Sequence, residues 1–289
     1  MRSALWLLAV FALAPNCGDA GSPVQSQSTS APPAATYLGF DRNEYPGDEN
    51  LATLRRTFSY ASYWLNAPPR ATSNTWFGHR RAVEAAGFGF LILFNGRLDA
   101  DLKKAPDAGV LGKSDAGEAV SAARDEGFPA GAIIFLDQEE GGRMLPEQRA
   151  YIHAWVDGVN GSGFRAGIYC SGIAAPEAKG VPLVTAEDIR ENAGGRKIVF
   201  WVANDACPPS PGCAFPKPVP APSRSGVTFA DVWQFAQSPK RRDVAAACPA
   251  NYDADGSCYP PSVARDTHLF VDLNTAKSDD PSRGRSGAR

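Results

Sequence analysis

The sequence predicts a (β/α)8 barrel of the TIM type, with eight parallel strands and loop insertions after the sixth and seventh. Three observations carry this. Eight short apolar, β-branched or aromatic runs recur along the chain, each ending in polar residues. Helical patterns separate the first six, and strand–helix alternation implies a parallel sheet. Eight such units in roughly 240 residues fit a closed barrel. A doubly wound open sheet is the competing architecture. It would bind a nucleotide through a Gly-rich first turn, and the first turn here, "GFDRNEYPG", has no GxGxxG.

The strand runs are "TYLGFDRN" from Thr36, "YASYWLN" from Tyr60, "FGFLILFNGR" from Phe88, "GAIIFLDQEE" from Gly131, "FRAGIYCSG" from Phe164, "KIVFWVAND" from Lys197, "DVWQFAQS" from Asp231 and "THLFVDLN" from Thr267. The helical patterns are "ENLATLRRTF", "WFGHRRAVEAAG", "DAGEAVSAARDEG", "LPEQRAYIHAWVDGVNGSG" and "TAEDIRENAGG". Pro146 suits a helix start, and Thr185 suits an N-cap. The last two connections carry more loop signals than helix signals.

The chain has 289 residues, 44% hydrophobic and 21% charged, with a formal net charge of -2. That is globular composition without a basic block, so nucleic acid is not an expected partner. Before the barrel, Arg2 and the apolar "ALWLLAVFALA" read as a secretory signal over residues 1–18, too short for a transmembrane span. Residues 19–35, rich in Ser, Pro, Ala and Gln, read as a flexible linker. The barrel is expected over 36–276 and a disordered tail over 277–289. Cys17, at the junction of signal and linker, allows two readings: a lipid anchor in a cell-envelope protein, or cleavage nearby and free secretion. Asn16 departs from the small residue that usually precedes a lipidated Cys. Cys207 with Cys213 and Cys248 with Cys258 flank loops, and close pairs in an exported chain suggest two local disulfides, though sequence does not fix the pairing. Cys170, in a strand run, reads as a buried free thiol.

The strand ends hold the candidate chemistry, because barrel enzymes work at the C-terminal face. They supply Asp41, Asn66, Asn95, Asp137 with Glu139, Tyr169, Trp201, Asn204, Gln234, and Asp272 with Asn274. Rings and amides suit a sugar, which stacks one face and hydrogen-bonds its hydroxyls. In "IIFLDQEEGG", residues two apart share a side, so Asp137 and Glu139 pair while Gln138 and Glu140 face away. Paired carboxylates are the means of glycosidic cleavage. Three histidines, His79, His153 and His268, give no material for a triad or a zinc site, and neither metal nor cofactor is expected. "NYDADG" from Asn251 opens like a calcium loop, but Ser262 stands where the closing acid belongs.

"YLGFDRNEYPG", the Asp-x-Glu of "FLDQEE", "GFRAGIYCSG", "VWQFAQ" and "FVDLN" together resemble family 25 glycoside hydrolases, the lysozyme-like muramidases, and more closely the exported glycoside-hydrolase-like barrels related to them. The resemblance runs from about Tyr37 to Asn274. It implies that Glu139 is the general acid and that Asp137 assists the substrate's acetamido group or stabilises the cationic transition state. It also implies that Asp41 and Asp272 are further acids of the cleft. Many members of the related family have lost the second acid of strand four; Glu139 is kept here. The implied function is cleavage of an N-acetylated, peptidoglycan-type glycan by an exported monomer. The alternative is a glycan-binding or cell-wall interaction module on the same barrel. A chitinase-like barrel also carries Asp-x-Glu on strand four, but its preceding glycine- and aspartate-containing run is missing from "GAIIFL".

Overall fold

The computed structural model describes residues 35–177, 180–206, 215–236, 260–261, 263 and 269–287. Eight strands close into one barrel: β1 (Tyr37–Asp41), β2 (Tyr60–Trp64), β3 (Gly89–Asn95), β4 (Ile133–Asp137), β5 (Arg165–Ser171), β6 (Val199–Ala203), β7 (Val232–Ala236) and β8 (Asp272–Ala276). Around it lie α1 (Asp48–Arg55), α2 (Arg80–Ala85), α3 (Asp99–Leu102), α4 (Ala108–Asp125), α5 (Pro146–Gly161) and α6 (Thr185–Glu191). Asp107 caps α4 by accepting from the N–H groups of Gly109 and Val110, and Pro146 opens α5 as expected. Thr185 is not a cap. It is the first residue of α6, and its Oγ1 bonds both backbone groups of Gly142 (2.7 and 3.1 Å), tying the β4–α5 loop to α6.

One strand departs from the expected all-parallel barrel. β1 to β7 run parallel, but β8 is antiparallel to both its neighbours, β7 and β1. A parallel return needs a crossover of a dozen or more residues, usually helical, whereas an antiparallel strand re-enters from the end where its predecessor stopped. The helix signals do not give the direction, because the connection before β7 is equally poor in them and joins parallel strands.

The barrel interior is filled by rings facing glycines. A Cβ on Gly39 would lie 2.1 Å from the Tyr60 ring, and one on Gly167 would lie 2.4 Å from the Phe135 ring. Above them Trp201 packs edge-on to Phe135 (5.9 Å) and Tyr169 (4.7 Å). Outside the sheet, Phe40, Phe58 and Phe88 cluster, and Arg80 lies over the rings of Phe90 and Phe128. Such burial, about 1.5–3 kcal/mol for a large apolar side chain, makes the barrel a packed core and not a pore.

The stretch expected as a disordered tail is built into the barrel floor as far as it is described. Ser282 accepts from Ile133 N (2.7 Å) through its carbonyl, donates its N–H to Phe90 O (2.8 Å), and accepts from Ile92 N (2.8 Å) through its hydroxyl. Arg285 reaches Phe88 O and Asp279. These bonds satisfy strand N–H groups that a barrel floor otherwise leaves open, which is why a polar, glycine-containing segment is ordered. The expected signal, linker, disulfide cysteines, Cys17, His268 and the "NYDADG" loop lie outside the described residues. Among the described residues, Cys170 is free and buried, which drives its thiol pKa upward, and no helix is long and apolar enough to cross a membrane.

Candidate active site

The mouth of the barrel is one connected polar network centred on Asp41. Gln234 Nε2 donates to both oxygens of Asp41 (2.9 and 3.1 Å), and Asn274 Nδ2 donates to Oδ2 (2.5 Å). Tyr169 donates its hydroxyl to Gln234 Oε1 (2.7 Å), and Trp201 donates Nε1–H to Asn274 Oδ1 (2.9 Å). The register between β8 and β7 shifts between Leu273 and Asn274, skipping Phe235. That irregularity sets Asn274 beside Gln234, so both amides converge on one carboxylate; bulges re-aim side chains in this way. Asp272 pairs with Asp41 across β8 and β1. Asp41 and Asp272 share an open cleft of about 270 Å³ with Arg42, Asn43 and Glu44.

Asp137 is the outlier. It is 4% exposed, and its Oδ1 has no hydrogen-bond partner. An unsatisfied buried polar atom costs about 1–3 kcal/mol, more for a charge. Burial pushes its pKa well up, and the charges of Glu139 and Asp41 push it further. Asp41 rises to about 6, through burial above all, with Glu139 adding and the Asn274 and Gln234 bonds opposing. Tyr169 sits among all four acids, and burial followed by their charges raises its phenol strongly.

Glu139 is placed differently from the sequence expectation. β4 stops at Asp137, so strand alternation no longer governs residues 138–140. Gln138 is buried and donates its N–H to Tyr169 O (3.0 Å), extending the pairing by one residue. Glu139 projects at the rim, exposed. The protein around its carboxyl raises its pKa, and the Arg70 guanidinium opposes this. The open face lets solvent screen much of both effects. Glu140 faces away as expected, and it is a clamp. Its Oε2 accepts from Asp99 N (2.7 Å) and Gln148 Nε2 (2.8 Å). With Asp188 accepting from Met144 N (2.9 Å), it fixes the loop that carries Glu139.

Of the expected sugar-binding residues, Tyr169, Gln234, Asn274 and, through its Nε1–H, Trp201 belong to the network. The others serve as braces. Asn66 donates to Asn95 O and accepts from Asn95 N (3.1 and 2.7 Å), and Asn95 Nδ2 donates to Ala67 O (3.0 Å), locking the β2 loop to the end of β3. Asn204 is 4% exposed and bonds Ser225 O, Gly172 O and Ala206 N. Trp201 is 1% exposed, so its ring faces protein and not solvent. Arg70, which faces Glu139, was not among the residues expected at the site. It lies in the β2–α2 loop with φ 64, a left-handed conformation uncommon for a residue with a side chain. An arginine in a proline-flanked loop carries no signal of its own; only the fold brings it to Glu139. No His/Cys/Asp/Glu group among the described residues is placed to hold a metal.

Residues 61–176 match the Rv2525c-like, glycoside hydrolase-like domain. That span runs from β2 to just past β5 and includes Asp137 and Glu139. The match covers less than half of the chain, and its description agrees with the resemblance carried by the sequence motifs. No curated protein matches the chain. Among solved structures, an uncharacterized protein of B. stearothermophilus is similar at 20% identity and TM-score 0.51, over 83% of this chain and 95% of that one. The Mycobacterium tuberculosis Tat-secreted protein Rv2525c, in complex with HEPES, is similar at 15% identity and TM-score 0.46, over 83% and 94%. The bacterial lysozyme from Streptomyces coelicolor is similar at 14% identity and TM-score 0.46, over 89% and 98%. At 20% identity the likeness to the B. stearothermophilus protein is one of fold.

Proposed function

We propose that this protein is an exported glycoside hydrolase acting on an N-acetylated, peptidoglycan-type glycan, with Glu139 as general acid and Asp137 as the group facing the developing positive charge. The observation that carries this is the unpartnered Oδ1 of buried Asp137 beside a rim carboxyl, Glu139, held on a clamped loop. A purely structural aspartate would be paired. Cleavage needs a proton at the leaving oxygen and stabilisation of an oxocarbenium-like state. Glu139 is the carboxyl a ligand can reach, and geometry decides the donor before pKa does. In the free protein Asp137, Glu139 and Asp41 share protons as a coupled set. A glycan lying over Glu139 removes its solvent and moves a proton towards it. The open oxygen of Asp137 then accepts from an acetamido N–H or meets the anomeric charge. Asp41, with its two amide donors, holds Tyr169 and Trp201 in place through Gln234 and Asn274, and Asp272 completes the acidic rim. Export rests on the apolar N-terminal signal and its polar linker, with or without a lipid on Cys17.

The test is release of reducing ends from peptidoglycan and from chitin. Glu139→Gln removes the transferable proton and keeps the shape, so turnover should fall by roughly 10²–10⁴-fold with little change in glycan affinity. Asp137→Asn should also cut turnover, since it withdraws charge from the cation. Wild-type protein that binds either glycan and cleaves neither would establish the binding-module alternative.

A further inference from the structure

We infer that the floor of the barrel, opposite the mouth, carries a second binding site, for a ligand bearing phosphate or carboxylate groups. A cleft of about 500 Å³ opens there between the end of α5, the start of β5, the α6–β6 loop and the start of β6. Arg165, Arg190, Arg196 and Lys197 all line it, and no acidic side chain does. This concentration stands out in a chain whose formal net charge is -2. Like charges gathered in one concavity repel, and Arg165, Arg190 and Lys197 form no ion pair among the described residues; the acids Asp231 and Asp280 line an adjoining cleft that shares Arg165.

The four are not equally mobile surface cations. Arg196 is fixed by a bidentate pair with Asp157 (2.9 and 2.8 Å) and by donation to Ala193 O (3.1 Å), so it frames the wall. Arg190 lies 4.2 Å over the Phe229 ring, which holds the plane of its guanidinium and leaves its edge N–H groups for an acceptor. Arg165 is half-buried at the base of β5. Gly194 and Gly195, with φ of 61° and 80°, turn the chain sharply enough to bring Arg196 and Lys197 back to the same cleft as Arg190. Arginine forks with a neighbouring ammonium suit the oxygens of phosphate or carboxylate, and an acid-free concavity focuses their field. The site shares no residue with the mouth, so both can be filled at once. It stands whether or not the mouth cleaves a glycan.

Titration of the full-length protein with inorganic phosphate, pyrophosphate and citrate, followed calorimetrically in low and high salt, tests this. Saturable binding of pyrophosphate or citrate is expected, weakening as salt rises. The relative affinity of the two identifies phosphate or carboxylate as the preferred group. The double variant Arg190→Gln/Lys197→Gln should weaken binding at least tenfold with an unchanged melting temperature. Lys113→Gln, which changes charge by one on α4, should bind as the wild type does. Absence of saturable binding by all three anions would overturn the inference, as would equal affinity of the double variant and the wild type. Glycan cleavage should be the same in the double variant as in the wild type.

Discussion

Replacing Asp41 by Asn isolates the electrostatic cost of the buried mouth. Burial raises the Asp41 pKa from 3.8 to about 6 despite two amide donors. The folded protein therefore binds more protons than the unfolded chain between about pH 4 and pH 6. The stability this group contributes is complete below about pH 4 and is lost as pH rises through 6. At about 1.36 kcal/mol per pK unit, the loss is about 3 kcal/mol. Asp41→Asn is neutral throughout and escapes it. Losing the charge also relieves Asp137, whose pKa Asp41 helps to raise, so the coupling acts in the same direction. At pH 4 the comparison reads hydrogen bonding alone. There wild-type Asp41 is a neutral acid whose hydroxyl oxygen can still accept, whereas the Asn NH2 can only donate towards Gln234 and Asn274, and the variant should be less stable by about 1 kcal/mol. On moving to pH 8 the variant should gain about 3 kcal/mol on the wild type, roughly 6–12 °C in relative Tm for a chain of this size. Urea unfolding of both proteins at pH 4, 5, 6, 7 and 8 measures this. Parallel stability curves would refute a buried, charge-disfavoured Asp41. The same experiment would show a site that is less stable because of its acids.

Arg70→Ala removes the cation opposing the raised pKa of Glu139, so the alkaline limb of a kcat/KM profile, where the acid loses its proton, should move to higher pH. A limb that stays put or moves to lower pH removes Arg70 from the site. Glu140→Ala deletes the acceptor of two hydrogen bonds and should cost about 2–3 kcal/mol in urea unfolding. Glu140→Gln keeps an acceptor oxygen and should leave both stability and turnover close to wild type. Ser282→Ala strips Ile92 N–H of its partner under the barrel and should cost about 1–2 kcal/mol, whereas a disordered tail would make it silent.

The barrel was legible because its two periodicities are clean. Apolar runs end in polar residues at the mouth, and five helical patterns fall where the crossovers must be. Asp137, Tyr169, Gln234 and Asn274 were legible for the same reason, since each is a polar residue in an otherwise apolar run near the mouth end of its strand. The braces were not. Asn66 and Asn204 also follow strand ends, and only three-dimensional placement distinguishes an amide bonded to a neighbouring backbone from one facing the mouth. Nor was the floor segment legible. Ser282 has no local pattern, and its partners Phe90, Ile92 and Ile133 are about 150 to 190 positions away in the chain.

Asp272 shows how a correct site arises from an incorrect strand. The run "THLFVDLN" reads as a strand that climbs to the mouth and ends at Asp272 and Asn274. The strand in fact starts at Asp272 and descends to Ala276, so the acid stands at the mouth because the chain enters there. Both directions put it at the same end, because the boundary between the apolar run and the polar residues marks the mouth without saying from which side the chain crosses it. The consequences differ below that level. In a parallel strand Asn274 would lie beyond Asp272, towards solvent. Antiparallel, it lies one inward step deeper, opposite Gly39, where its amide donates to Asp41 and its oxygen accepts from Trp201. The reversed strand is what turns a rim of separate polar residues into one network, and the buried, proton-holding Asp41 depends on it.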